Sequence, residues 1–134
     1  MESSLYVHIP FCIKKCLYCD FVSFPGRGDM HRRYVDALFS EMKQRGGKTL
    51  RTVYIGGGTP TCLDPGLLYK VLEGVDRCFD TSNCIEKTIE ANPGTLSAGM
   101  LETLKEGGIN RLSIGLQSWH TEELKTLGRT HDRQ

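Results

Sequence analysis

Residues 53–75 read VYIGGGTPTCLDPGLLYKVLEGV, and they hold one complete strand-to-helix unit. Val53-Tyr54-Ile55 is short and rich in β-formers, so it predicts a strand that ends in Gly56-Gly57-Gly58. Asp64 followed by Pro65 predicts a helix start. An aspartate oxygen can accept from the free N–H groups of a first turn, and a proline there leaves no donor unpaired. Leu67, Leu68, Val71, Leu72 and Val75 then recur at helical spacing and supply a face to bury.

The same order repeats on both sides of this unit. Upstream, Leu5-Tyr6-Val7-His8-Ile9 alternates as a strand does, and Pro10 stops it. A cysteine-bearing loop follows, and then Tyr34, Val35, Leu38, Phe39 and Met42 share a helical face that Gly46-Gly47 ends. Downstream, residues 85–90 predict a third strand closed by Asn92-Pro93-Gly94. Ser97 caps a helix that carries Met100, Leu101 and Leu104 and stops at Gly107-Gly108. Residues 112–116 predict a fourth strand, and Thr121-Glu122-Glu123 opens a last helix through Leu124 and Leu127. Four consecutive strand-helix units imply an α/β fold of parallel strands joined by right-handed crossovers, as in a barrel or a doubly wound sheet.

The chain has 134 residues, 39% of them hydrophobic, enough for one core and too few for two. Lys and Arg total 17 against 16 Asp and Glu, and a net charge of +1 gives no electrostatic reason to expect nucleic acid or an anionic membrane as partner. No apolar run is long enough to span a bilayer, and the first residues carry no basic region, so neither a membrane span nor an export signal is expected. Of six cysteines, three fall within eight positions. In a reducing cytoplasm, the expected location, such clustered thiols serve more often as metal ligands or redox groups than as disulfides.

The distinctive residues all fall at or just beyond the carboxyl ends of successive strands: residues 12–19, residues 56–58, Glu90 with Asn92, and Gln117. In parallel α/β architectures that is the face where ligands bind. Cys12-x-x-x-Cys16-x-x-Cys19 places three soft ligands on a short loop, and Lys14 and Lys15 favour the thiolate forms. Three ligands on a four-iron cluster would leave one iron open, as suits chemistry; the alternative is a structural zinc site with His8 or Cys62 as fourth ligand. The glycine run is either a flexible turn or backbone approaching a ligand, and no P-loop lysine follows it. Glu90 alone reads as a solvated carboxylate, a cap partner or a ligand contact. Arg129 by itself reads as a charge near a helix end, and Tyr6 and Tyr18 as strand packing and loop anchoring. Cys62, Cys78 and Cys84 lack ligand spacing and read as buried or incidental thiols. His31, His120 and His131 have no recognisable partner in the sequence, and Trp119 reads as core.

The cysteine spacing is similar to the signature of the radical S-adenosylmethionine (SAM) superfamily. Residues 6–12 (YVHIPFC), Cys19-Asp20-Phe21 and residues 56–61 (GGGTPT) resemble the oxygen-independent coproporphyrinogen III oxidase family, most of all its haem-chaperone HemW branch. Residues 90–94 (EANPG), residues 114–118 (IGLQS) and Leu127-Gly128-Arg129 continue the likeness in order along nearly the whole chain. The resemblance implies that residues 1–134 are the N-terminal part of a radical SAM core domain, a partial (β/α) barrel of about four parallel strand-helix units. It implies Cys12, Cys16 and Cys19 as ligands of a [4Fe-4S] cluster whose fourth iron is chelated by SAM. It further implies that Gly57, Gly58 and Thr59 hold the methionyl end of SAM, and that Tyr6, Tyr18, Glu90, Gln117 and Arg129 contact SAM, Tyr18 near the adenine.

The chemistry so implied is one-electron reduction of SAM to methionine and a 5′-deoxyadenosyl radical, fed by an electron donor such as flavodoxin or ferredoxin. The coproporphyrinogen oxidases carry a fourth cysteine two places after the third, where this chain has Phe21; that favours haem delivery over coproporphyrinogen decarboxylation. The resemblance also implies further strand-helix units and a C-terminal domain, with the residues for haem or porphyrin, beyond these 134.

Overall fold

A computed structural model describes residues 2–12, 24–25 and 28–115. The predicted strand-helix order holds across them. The strands are β1 (Glu2–Ile9), β2 (Phe11–Cys12), β3 (Phe24–Pro25), β4 (Thr49–Gly57), β5 (Glu86–Ala91) and β6 (Arg111–Ile114), and the helices are α1 (Gly28–Arg45), α2 (Pro65–Cys78) and α3 (Ala98–Glu106). The final predicted helix lies outside the described residues. The short parallel pairing of β2 with β3, Phe11 opposite Phe24 and Cys12 opposite Pro25, was not foreseen and ties the two ends of the cysteine segment together.

The main sheet runs β1-β4-β5-β6, every pair parallel. Among the described strands, each new one joins the same side of the growing sheet and the order does not reverse. A doubly wound sheet needs such a reversal, so the observed order selects the barrel from the two architectures that alternation allowed.

The caps sit where the sequence places them. Asp64 accepts from the backbone N–H of Gly66 at 3.0 Å, and Ser97 Oγ from that of Met100 at 3.0 Å. Gly47 adopts φ +90° after α1, a left-handed conformation open to glycine, and there donates its N–H to the carbonyl of Cys78 at 2.8 Å.

Period-two alternation divides the sheet into two faces of opposite character. Val7, Ile9, Val53, Ile55 and Ile89 are at most 2% exposed and form one core with Val35 and Met42 of α1, Leu68, Val71, Leu72 and Val75 of α2, and Met100 and Leu104 of α3. Full burial of each such side chain contributes about 1.5–3 kcal/mol. Ser3 pairs with Leu50 but Ser4 with Thr52, so Arg51 is an extra residue. That bulge resets the alternation and lets both Leu50 and Val53 reach the helix side.

The opposite face is polar. Tyr6, Tyr54, Thr88 and Arg111 form one row across the four strands, with His8, Gly56, Glu90 and Ser113 in the next row towards the carboxyl edge. In a barrel this face looks inward. No helix among the described residues is long and apolar enough to cross a membrane.

Candidate cofactor site at the carboxyl edge of the sheet

β1 and β4 are hydrogen-bonded neighbours, so the segment that leads into Cys12 runs beside the glycine segment that ends β4. The pairing continues past the strands: Gly58 donates its N–H to the carbonyl of Ile9 at 2.8 Å, and Thr59 to that of Phe11 at 2.6 Å. Between them stands Pro10, which has no N–H to give. A short backbone ladder thus fixes residues 57–59 against residues 9–11 and holds the glycine loop beside the cysteine segment.

Gly57 has φ +114°, and a Cβ there would lie 2.6 Å from the Ile9 carbonyl oxygen and 3.0 Å from the His8 ring. Glycine is required here by conformation and by space together. Gly56 is required for a different reason. A Cβ on it would stand 2.5 Å from Glu90 Oε1 and 2.8 Å from Tyr54 Cε1, because the glutamate carboxylate lies over that residue.

Glu90 reaches across from β5. Its Oε1 accepts from the Gly57 N–H at 2.8 Å and its Oε2 from the Tyr54 hydroxyl at 2.8 Å. The side chain is therefore not a loosely solvated carboxylate. Each oxygen keeps a further lone pair for another donor. Burial and then the hydrogen bond to Glu90 raise the Tyr54 phenol above its ordinary value, partly offset by Ser113 and Arg111, so Tyr54 stays a donor at neutral pH.

Tyr6, 55% exposed, stands at the outer end of the same face. Its ring stacks on Tyr54 with centroids 6.0 Å apart and planes 19° apart, and its hydroxyl meets His8 Nδ1 at 3.0 Å. Burial, followed by the charge of Glu90, raises the Tyr6 phenol. Tyr34 of α1 donates to the His8 carbonyl at 2.5 Å and packs edge-on against Phe11 at 5.3 Å. His31, which had no recognisable partner in the sequence, lies with its ring 4.3 Å from that of Phe11. Both contacts brace the strand that leads to the cysteines.

The loops after β4 and β5 are also joined. Thr61 and Thr95 share a hydroxyl contact at 2.5 Å, Thr95 Oγ1 donates to the Asn92 carbonyl at 2.7 Å, and buried Asn92 accepts from the Gly94 N–H at 2.8 Å. Of the residues expected to bind SAM, the structure thus brings Tyr6, Gly57, Gly58, Thr59 and Glu90 to one edge. Cys12 closes β2 beside them, while Cys16, Cys19, Tyr18, Gln117 and Arg129 lie outside the described residues.

Tyr54 was read from the sequence only as a strand former, and His8 as a strand residue, a member of the YVHIPFC run and a fourth ligand in the zinc alternative. The usable signal was parity: Tyr54 falls between Val53 and Ile55, so its side chain leaves on the other face. No three His, Cys, Asp or Glu side chains among the described residues converge to hold a metal ion. Cys62, Cys78 and Cys84 are half-buried against the core, as their lack of ligand spacing led us to expect.

The residues at this edge fit the cofactors that the cysteine motif implies. Three clustered cysteines are a soft donor set suited to iron and sulfide. The glycine backbone is pressed close to the segment entering Cys12, and the oriented Glu90 carboxylate faces an open polar surface able to receive ammonium or hydroxyl donors.

Similarity to known proteins agrees with this geometry. Residues 6–134 match the radical SAM superfamily. The chain is 41% identical over 136 residues to the heme chaperone HemW of Escherichia coli (strain K12), covering 98% of this chain and 36% of the relative. It is 40% identical over 129 residues to HemW of Lactococcus lactis subsp. lactis (strain IL1403), covering 96% and 34%. The solved coproporphyrinogen III oxidase HemN from Escherichia coli, described as a radical SAM enzyme, superposes with a TM-score of 0.87 at 32% identity, covering 96% of this chain and 31% of that one. The chain therefore spans about a third of the length of these relatives. An inward polar face on a singly wound parallel sheet, a cysteine motif after the first strand and a match over residues 6–134 lead to one assignment: the chain belongs to the radical SAM superfamily.

Proposed function

We propose that this chain is the cluster- and SAM-binding portion of a haem chaperone of the HemW kind. The observation that carries the reading is the backbone ladder from residues 57–59 to residues 9–11, with Glu90 bound over it. It joins the cysteine segment, the glycine loop and an oriented carboxylate into one edge of an inward-facing polar surface.

Cys12, Cys16 and Cys19 would hold a [4Fe-4S] cluster. Tyr6, Tyr18, Gly57, Gly58, Thr59, Glu90, Gln117 and Arg129 would hold SAM, with the Arg129 guanidinium suited to a carboxylate. When bound, the cluster supplies one electron, taken from a donor such as flavodoxin or ferredoxin, for cleavage of SAM to methionine and a 5′-deoxyadenosyl radical. The chain's own part is to orient. Glu90 presents an acceptor with fixed direction, and Gly57 lets the backbone approach closely.

Haem or porphyrin binding belongs, on this reading, to the part of the full-length protein beyond these residues, and a reducing cytoplasm suits the thiols. The HemN likeness keeps coproporphyrinogen oxidation as the second reading, which Phe21 at the place of a fourth cysteine disfavours. Anaerobic purification of the full-length protein tests the proposal. Iron and sulfide in equal amounts, about four of each per chain, with broad visible absorption and calorimetric SAM binding are expected. Zinc in their place would overturn it, and steady coproporphyrinogen decarboxylation would select the second reading.

A further inference from the structure

The Glu90 carboxylate has two holders of different kinds. Gly57 gives a backbone N–H, which no substitution but proline removes, whereas the Tyr54 hydroxyl comes from a side chain on a neighbouring strand. The terminal torsion of a glutamate is broad, so one donor alone leaves the carboxylate free to swing about the oxygen that is held. Two donors, one on each oxygen, stop that swing and fix the direction of the remaining lone pairs.

Tyr54 is itself held. Its ring stacks on Tyr6, and the Glu90 side chain and the Tyr54 ring together fill the space above Gly56, where even a Cβ would stand 2.5 Å from Glu90 Oε1 and 2.8 Å from Tyr54 Cε1. The glycine at 56 thus serves the Tyr54–Glu90 pair, while the glycine at 57 serves the backbone.

We propose that Tyr54 is a positioning residue for SAM: its phenol locks the second oxygen of Glu90, so that the carboxylate meets the hydroxyl or ammonium donors of SAM without reorganising. This rests on the reading that Glu90 contacts SAM. Tyr54 acts through Glu90 and not by its own contact, which makes the two residues one unit whose effects do not add.

Titration calorimetry with SAM on the full-length protein carrying its cluster tests the unit. Wild type, Tyr54→Phe, Glu90→Ala and the double variant are compared, with iron content and melting temperature followed for each. Phe keeps the ring stacked on Tyr6 and removes only the hydroxyl. Tyr54→Phe is expected to bind SAM about tenfold more weakly, the scale of one hydrogen bond to a charged group. In the Glu90→Ala background the same change should have no further effect.

Equal weakening by Tyr54→Phe in both backgrounds would show that Tyr54 acts independently of Glu90 and overturn the proposal. Wild-type affinity in Tyr54→Phe alongside weak binding in Glu90→Ala would also overturn it and leave Glu90 as a SAM contact. Wild-type affinity in Glu90→Ala would overturn both readings. Should Tyr54→Phe fail to load its cluster, tyrosine absorbance of the cluster-free protein decides: in a Tyr6→Phe background, which removes the other phenol that Glu90 raises, Glu90→Ala should move phenol ionisation to lower pH, and an unmoved titration would overturn the proposal.

Discussion

Thr59 donates its backbone N–H to the carbonyl of Phe11, the residue immediately before Cys12, at 2.6 Å. The bond couples two segments 48 residues apart in sequence, so a disturbance of the glycine loop must reach the cysteine segment. Gly57 is the most sensitive point on that path. Alanine at 57 would hold a left-handed φ of +114° and place its Cβ 2.6 Å from the Ile9 carbonyl oxygen. A cost of about 1–3 kcal/mol is expected from the backbone strain alone. Gly57→Ala should therefore lower the melting temperature and also reduce iron retention, measured on anaerobically reconstituted protein. Full iron content at an unchanged melting temperature would contradict the coupling.

Replacing Cys12, Cys16 or Cys19 by Ala should abolish iron binding, since three thiolates already leave one iron of a four-iron cluster without a protein ligand. Cys78→Ala, which alters a half-buried thiol against the core, should keep the iron. Iron and sulfide analysis of the four variants separates ligands from bystanders, and a full cluster in Cys16→Ala would refute the assignment.

Ile89 is fully buried at the centre of the sheet, between β4 and β6. Ile89→Ala should destabilise by about 2–5 kcal/mol through lost burial and an unfilled cavity. Glu90, its neighbour on the opposite face, would keep its partners. Denaturant unfolding should register the loss, while SAM affinity measured well below the new transition should stay near wild type.

Tyr6, Tyr34 and Tyr54 all have phenols raised above the ordinary value, in each case first by burial. A raised folded pKa means that the folded state holds its proton more tightly than the unfolded chain. The associated stability is fully present below the unfolded value of about 10 and is lost as pH rises through the folded value. Unfolding free energy should accordingly decline above about pH 10, and Tyr34→Phe should decline less steeply than wild type. Parallel curves for the two proteins would remove Tyr34 from this account.

Much of the architecture was legible in the sequence because its causes are local. Asp64 and Ser97 act within a turn of their own positions, and the apolar faces of α1, α2 and α3 follow from helical spacing. Strand-helix alternation likewise placed residues 12, 57, 58, 59 and 90 at carboxyl ends of strands before any contact was known. What alternation alone left open was the choice between a barrel and a doubly wound sheet, because strand order is a long-range property. The order β1-β4-β5-β6 decided it. The partners of Glu90 belong to the same class: Gly57 and Tyr54 are 33 and 36 residues away in sequence. A sequence shows that Tyr54 lies within one strand segment, that Glu90 ends the next, and which face each takes; only the parallel register of β4 against β5 puts the phenol on the carboxylate, because pairing distance across a sheet has no counterpart in spacing along the chain.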